Sequence, residues 1–492
     1  VTTECNPVLL GLRTACGLAL LAGKRDLTGE GRNRARAREN PLAFSEQIMR
    51  TTRFYRHLNR GVRMTTQRTP HVKSWYAATR SDTTDRPILT ESIKADVCVV
   101  GAGFSGISAA LHLVEAGFSV VVLEATRIGY GASGRNGGQL VNSYSRDIDT
   151  IERSYGNQIG KALGDMAFEG GNIIRERIER YQIACDYKPG GIFAALNAKQ
   201  MQHLTAQKAL WERYGHQGLE LLDAAGVRRH IQTDCYVGGL LDHTGGHVHP
   251  LNLLLGEVAA FEVAGGCVFE DSRVFSLDRG TPAVVNTAEG CVTADYVLLA
   301  GNAYMGGLIP ELAARTMPCG TQIIATEVLS PEVAAALIPG GHCVEDCNYK
   351  LDYYRVTGDH RLLYGGGVTY GGGDPASIEQ FIRGHLEVTF PQLKGVRVDY
   401  AWGGDFLLTL SRLPQFGRLA PHIYYTQGYS GHGVTTTHLA GRLVAEALQG
   451  HAERFDVFTQ LKHFPFPGGR VFRMPYTALG ALWYGLRDRL GM

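Results

Sequence analysis

Residues 96–125 read DVCVVGAGFSGISAALHLVEAGFSVVVLEA, and few arrangements accommodate such a string. Residues 97–100 predict a short buried strand. Glycines follow at Gly101, Gly103 and Gly106. Ile107, Ala110, Leu111 and Val114 then recur at helical spacing, and Gly117 stops the helix. Residues 120–123 predict a second strand, which ends at Glu124, 23 positions after Gly101. Each part has a physical task. Gly101 allows a tight turn, Gly103 lets the backbone approach a pyrophosphate, and Gly106 lets helix and strand pack closely. Around Phe104 and Ser105 the helix start offers unpaired N–H groups and the positive end of its dipole to phosphates. Glu124 is placed to accept hydrogen bonds from a ribose diol. The unit predicts a dinucleotide site in an α/β fold and leaves FAD and a nicotinamide both open.

The continuation narrows the choice. A nicotinamide-binding domain ordinarily goes on to another regular strand–helix unit. Here the chain runs through Ala125 and Arg127 into GASGRNGGQL, residues 131–140, with four glycines in ten positions. Glycine is 62 of 492 residues, nearly twice ordinary usage and without collagen periodicity. A local cluster means that the backbone bends sharply or comes very close to something.

Bulk properties exclude other classes. A net charge of +2 gives no footing for nucleic acid. No apolar run reaches the 18 or more residues of a membrane span. The ten cysteines form no CxxC pair and read as buried free thiols of a reducing compartment, so a cytoplasmic protein is expected. Residues 1–63 carry 12 Lys and Arg against 5 Asp and Glu and include RNRARAR; they are expected to be an extension, disordered or not native. Residues 474–490 look like an amphipathic helix docked on the protein's own surface.

The stretch LEATRIGYGASGRNGGQLVNSYSRDID resembles the FAD-dependent amine oxidoreductases of the D-amino-acid-oxidase and glycine-oxidase superfamily, and within it the gamma-glutamylputrescine-oxidising type. Further landmarks are GGHVHPLNLLLGE from Gly245, ADYVLLAGNAY from Ala294, MPCGTQIIATE from Met317, LDYYRVTGDHRLLYGGG from Leu351 and GYSGHGVTTTHLAG from Gly428. The resemblance implies that the glycine-rich loop wraps the flavin and its diphosphate through Ala132, Ser133, Asn136, Gly137, Gly138 and Gln139. Val274, in the strand-like EDSRVFSLD, is expected to close over the adenine. Gly301 ends a buried strand facing the dinucleotide. Ser430, Gly431, His432 and Gly433 open a helix whose positive end can stabilise negative charge at the flavin N1–C2=O edge.

The implied architecture is α/β: a Rossmann-like FAD-binding domain assembled from residues 64–150, 245–305 and 400–450, and a substrate domain with a mostly antiparallel sheet from 151–244 and 306–399. Residues 451–492 form a tail. Segments 159–181 and 199–214 are expected to be helices, and 319–329 and 361–367 strands.

The implied chemistry is oxidative deamination of a primary amine, gamma-glutamylputrescine, by hydride transfer to the flavin, with oxygen as acceptor. An alternative is a dehydrogenase or oxidase of N-methylated, D- or imino amino acids with a different acceptor. Tyr354, Arg355, Arg412 and His432 are the catalytic-site candidates, because a carboxylate-bearing substrate favours a guanidinium partner. Trp402 and Phe406 are expected to serve core packing. No metal is expected: His243, His247 and His249 lack a Cys or acidic partner at ligand spacing. Residues 404–407 contain no cysteine, so the FAD is expected to be non-covalent, and residues 362–368 contain no lysine of the kind that assists oxygen in some relatives. Oligomeric state is left open.

Overall fold

In the computed structural model, which describes residues 68–466, the strands Ser92–Val100 and Val120–Leu123 lie parallel, with Val97 opposite Val120 and Val100 opposite Leu123. The helix Phe104–Glu115 connects them. Both strands end in unbroken apolar runs, as strands covered on both faces do. They sit inside a sheet ordered Gln415–Ala420, Ile423–Gln427, Cys291–Leu299, Ser92–Val100, Val120–Leu123 and Cys267–Phe269. All neighbours along this path are parallel except the first pair, and an antiparallel ribbon of Ser276–Asp278 and Ala283–Asn286 joins the sheet against Cys291–Leu299. The expected extension 1–63 and the tail helix 474–490 lie outside the described residues.

Helices Phe104–Glu115, Glu169–Tyr181, Pro250–Val263 and Gly433–Leu448 pack around the main apolar core. Close approach has a visible cause: a Cβ on Gly441 would stand 2.4 Å from Ser108 Oγ. A buried ionic cluster joins these helices. Arg177 donates to Glu257 at 2.8 Å and to Ser108 Oγ at 3.1 Å, and His438 Nε2 lies 3.0 Å from the same Glu257 oxygen. Burial acts to raise the Glu257 carboxyl, but His438 and Arg177 outweigh it and hold the group below its ordinary value.

The second sheet is ordered Val398–Thr409, Thr316–Thr326, Leu362–Tyr370, Asp352–Val356, Cys343–Asp346, Lys188–Ala195, Gly238–His247 and Gln139–Leu140, and Leu219–Asp223 also pairs with Gly238–His247. Every pairing is antiparallel except Cys343–Asp346 with Lys188–Ala195. This is the mostly antiparallel sheet the sequence led us to expect. Two details differ. Residues 400–409 belong to this sheet rather than to the nucleotide-binding one, because Val398–Thr409 pairs with Thr316–Thr326 from end to end. Residues 159–181 are not one helix: Ile148–Met166 ends, the chain turns, and Phe168 stacks on His216 at 4.1 Å before Glu169–Tyr181 begins.

Removing one partner of a buried ion pair strands the other. Arg177→Ala is expected to lower the free energy of unfolding by about 3–5 kcal/mol, read as a shift of the urea midpoint. Because Glu257 is depressed below 4.5 in the fold, its contribution is complete above that value and is lost as the pH falls through the lowered one. Acid titration of wild-type stability should show this loss, and Arg177→Ala should blunt it.

Candidate functional site

The carboxyl ends of the parallel strands open into a cavity of about 380 Å³, closed on its other side by the second sheet. That is within the roughly 300–1,000 Å³ of small-molecule sites, and its position follows the rule for open α/β sheets. Gly101, Gly103, Phe104 and Ser105 line it. No side chain caps the helix at Gly103, and the Phe104 N–H donates to Ser133 Oγ at 2.9 Å. Gly101 has φ +109°, and a Cβ there would come 3.0 Å from the Ala300–Gly301 backbone. Gly106 lies behind the wall, where a Cβ would meet the Gly101 carbonyl oxygen at 2.0 Å.

Glu124 and Ala125 also line the cavity. Glu124 Oε2 accepts from the Ala102 N–H at 2.9 Å and Oε1 from the Thr126 N–H at 3.0 Å, while burial pushes the carboxyl up. A carboxylate has about four lone-pair sites, so acceptor capacity remains. Val274 reaches the cavity from an irregular segment between Cys267–Phe269 and Ser276–Asp278, not from the strand the sequence suggested. Arg127 does not line the cavity. It binds Asp85 at 2.7 Å and Glu270 at 2.9 Å.

The glycine-rich loop brings Ala132, Ser133, Asn136, Gly137 and Gln139 to the wall. Asn136 shapes it: Nδ2 donates to the Ala132 and Ser133 carbonyls, each at 3.0 Å, and Oδ1 accepts from the Gly138 N–H at 2.8 Å. Gly138 is turned away, its carbonyl taking the Val248 N–H at 2.8 Å. Gly301, Ser430, Gly431, His432 and Gly433 complete this side. Helix Gly433–Leu448 starts without a side-chain cap. His432 Nδ1 is buried with no hydrogen-bond partner among the described residues. Burial and then Arg412 lower this imidazole to about 4, so it is neutral at pH 7.

Two catalytic-site candidates are corrected. Tyr354 points to the far face of its strand, where its hydroxyl bonds Tyr236 at 3.0 Å and its ring stacks on Tyr364. Arg355 is fully buried beneath the loop, with Nε donating to the Gly137 carbonyl at 2.9 Å and Nη2 to Tyr76 at 3.2 Å. The residue facing the cavity is Tyr353. Arg412 does line it, its guanidinium 4.9 Å over the Tyr349 ring. Phe406 is on the wall rather than in the core. Trp402 is core, its Nε1 donating to the Arg135 carbonyl at 3.0 Å.

The three histidines go separate ways. His247 bonds the Gly341 carbonyl, His249 caps the helix Pro250–Val263, and His243 meets Glu220 at the surface. Sequence reasoning missed Tyr304, Thr321 and Glu345 on the wall. They lie on three elements separate from the strand of Tyr353, and no local pattern marks them as facing the cavity.

The wall fits FAD: two helix starts, the second without a side-chain cap, an imidazole nitrogen partnerless among the described residues, and glycines at the points of closest approach. Comparison with known proteins agrees. The family described as FAD dependent oxidoreductase (DAO) matches residues 96–447. Gamma-glutamylputrescine oxidoreductase of Escherichia coli (strain K12) is 64% identical over 425 residues, 86% of this chain and 100% of that protein. Probable oxidoreductase OrdL of Haemophilus influenzae is 41% identical over 85% of this chain and 98% of its own length. Among solved structures, glycine oxidase from Geobacillus kaustophilus superposes with a TM-score of 0.62 at 20% identity, covering 73% of this chain and 95% of that one. L-proline dehydrogenase from P. horikoshii gives 0.63 at 18%, covering 73% and 94%. The last two show the shared fold.

A Cβ on Gly137 would meet the Tyr353 ring at 2.6 Å. Gly137→Ala is therefore expected to weaken FAD binding by about 1–3 kcal/mol, roughly 5- to 150-fold in Kd. Flavin absorbance retained after gel filtration, with an unchanged far-UV spectrum, checks it.

Proposed function

The chain belongs to the DAO family of FAD-dependent oxidoreductases, and from that premise we propose that it oxidises gamma-glutamylputrescine to the aldehyde and ammonia, with oxygen taking the electrons as hydrogen peroxide. The observation that carries the reading is 64% identity across the whole of a protein of that name. The bound FAD supplies a two-electron acceptor for the hydride of the carbon beside the amine.

The chain's own residues hold and orient. Phe104 and Ser105 at the helix start, with Ser133 Oγ behind them, take the diphosphate; Glu124 takes ribose hydroxyls; Val274 covers the adenine. Ala132, Asn136, Gly137 and Gln139 bound the flavin ring, and Gly301 and residues 430–433 meet its far edge. The neutral His432 presents Nδ1 there without adding charge. Arg412 is the guanidinium for the substrate's carboxylate. Tyr353, Phe406 and Tyr349 give the wall aromatic surface that excludes water. Arg355 and Tyr354 act at a distance, one by fastening the loop and the other by packing the strand. Among the described residues no helix is long and apolar enough to cross a membrane, and a cytoplasmic location is part of this proposal.

The test is an amine panel on the purified holoprotein, scored anaerobically for bleaching near ~450 nm, the oxidised flavin's own band, and then for peroxide under air. Bleaching without peroxide would move the acceptor from oxygen to another oxidant. Failure of every amine to bleach the flavin would end the proposal. Arg412→Ala is expected to raise KM for gamma-glutamylputrescine by roughly 10- to 150-fold, the worth of charge-assisted hydrogen bonds, and to leave KM for putrescine, which has no carboxylate, nearly unchanged. Equal losses on both would remove Arg412 from this role.

A further inference from the structure

One carboxyl on the cavity wall, Glu345, lies outside the segments assigned above to FAD. Glu345 lies on the strand Cys343–Asp346, opposite Tyr353 in antiparallel register and beside Phe193 in the parallel pairing. Opposite residues project to the same face of a sheet, so Glu345 and Tyr353 enter the cavity together. Gln139, Thr321 and Tyr349 share that part of the lining.

The groups around Glu345 are acidic or neutral. Asp346, Cys343 and Cys347 are its neighbours on its own segment. Tyr353 faces it across the strand pair. From the strand Gly238–His247, Asp242 shares a small second cavity with it and is already committed to Asn142, Thr244 and His216. Arg412 shares the main cavity and lies over Tyr349. Arg355, on the Tyr353 strand, is engaged with Gly137 and Tyr76. Among the described residues no cation pairs with Glu345, and only burial and then Asp346 act on it, pushing the carboxyl up to about 8.

An ionised carboxylate half-buried on a cavity wall and left without a cation among the described residues is unfavourable, and the arrival of a cation relieves it. The proposed substrate brings one. Building on that proposed activity, we propose that Glu345 receives the ammonium end of the amine and takes a proton from it, so that the amine is neutral when its adjacent C–H bond is oxidised. One N–H bond breaks and one carboxyl O–H bond forms. The electron pair of the N–H bond stays on nitrogen as its lone pair, and nothing is oxidised or reduced in this step.

Magnitudes favour this carboxyl over an ordinary one. An alkylammonium of the lysine type has a pKa of about 10.4, so transfer to a carboxyl at about 8 is unfavourable by roughly 10²- to 10³-fold. Transfer to an unperturbed glutamate, at about 4.3, is unfavourable by roughly 10⁶-fold. Glu345 and Arg412 then meet opposite charges on one substrate.

The experiment uses FAD-loaded wild type, Glu345→Gln and Glu345→Asp, with anaerobic bleaching by gamma-glutamylputrescine followed by stopped flow from about pH 6 to 10, a span covering the carboxyl and the amine. In the wild type, the second-order rate of reduction should rise tenfold per pH unit to a break near 8, followed by the amine's own limb. Glu345→Gln should lose the lower break and slow by at least about 100-fold, and Glu345→Asp should keep a displaced break and an intermediate rate. A non-oxidisable tert-alkyl amine, titrated by its perturbation of the flavin spectrum, should bind Glu345→Gln at least about tenfold more weakly, the loss of one charge-assisted contact. If Glu345→Gln fails to retain FAD, Glu345→Asp decides: a displaced break supports the role, and an unmoved one overturns it. A wild-type rate and break in Glu345→Gln overturns this role alone. Wild-type protein that no amine bleaches overturns the role together with the proposed activity.

Discussion

The cavity depends on one buried guanidinium. Arg355 has no exposed surface and no carboxylate partner among the described residues. It is satisfied by the Gly137 carbonyl, the Tyr76 hydroxyl and His247 Nδ1, with the Trp75 and Tyr76 rings each 5.9 Å away. A buried charge cannot give up such partners cheaply, so the loop that supplies the carbonyl is held where the guanidinium is. This fastens the glycine-rich loop of the nucleotide side to the second sheet. It also explains the glycine pair: a Cβ on Gly138 would stand 2.2 Å from the Val248 carbonyl oxygen and 3.1 Å from Arg355 Nη2, and one on Gly137 would strike Tyr353. Loop, guanidinium and tyrosine occupy one fitted volume, and the cavity is what remains beside it.

The parallel sheet was legible because its signals are local. Turn glycines, apolar runs and the helix between them all lie within thirty residues, and strand, turn and helix chemistry act over that range. The strands of the second sheet were legible as strands but not as faces. Tyr353 and Tyr354 are both aromatic, and both sides of their sheet are covered, so no polar alternation marks which one meets the ligand. Arg355 misled for a related reason. An arginine in a strand near a site reads as a carboxylate receptor, and its true partner, the Gly137 carbonyl, is 218 positions away in sequence. Residues 400–409 went to the wrong sheet because their hydrogen bonds run to Thr316–Thr326, and no local pattern records that pairing. The break at Phe168 falls where the ring stacks on His216, a tertiary contact with a residue far away in sequence, and Gly170 and Gly171 just after it were the local sign.

The electrostatics of the far wall follow from crowding. A helix start, the Arg412 guanidinium and an imidazolium would place three positive contributions around one small volume. The imidazole gives way: with burial and Arg412 both acting against the charged form, His432 stays neutral. The Arg412 guanidinium and the helix dipole remain as the positive contributions on this wall.

Two of the carboxyls on the wall, Glu124 and Glu345, stand in contrasting surroundings. Burial raises both. Glu124 is surrounded by its own chain's N–H groups, from Ala102 and Thr126, which satisfy part of its capacity without neutralising it and leave it suited to hydroxyl donors. Those partners are close in sequence, and for that reason the placement of Glu124 at the strand end was visible before the fold. Glu345 has no such donors, and Asp346 beside it adds repulsion instead of relief. Its charge is relieved by protonation, which the raised carboxyl favours, or by a cation, and no cation pairs with Glu345 among the described residues. The difference between the two sites lies in what has been left unsatisfied, hydrogen-bonding capacity in one and charge in the other, and the roles proposed for them, toward a sugar and toward an amine, rest on that difference.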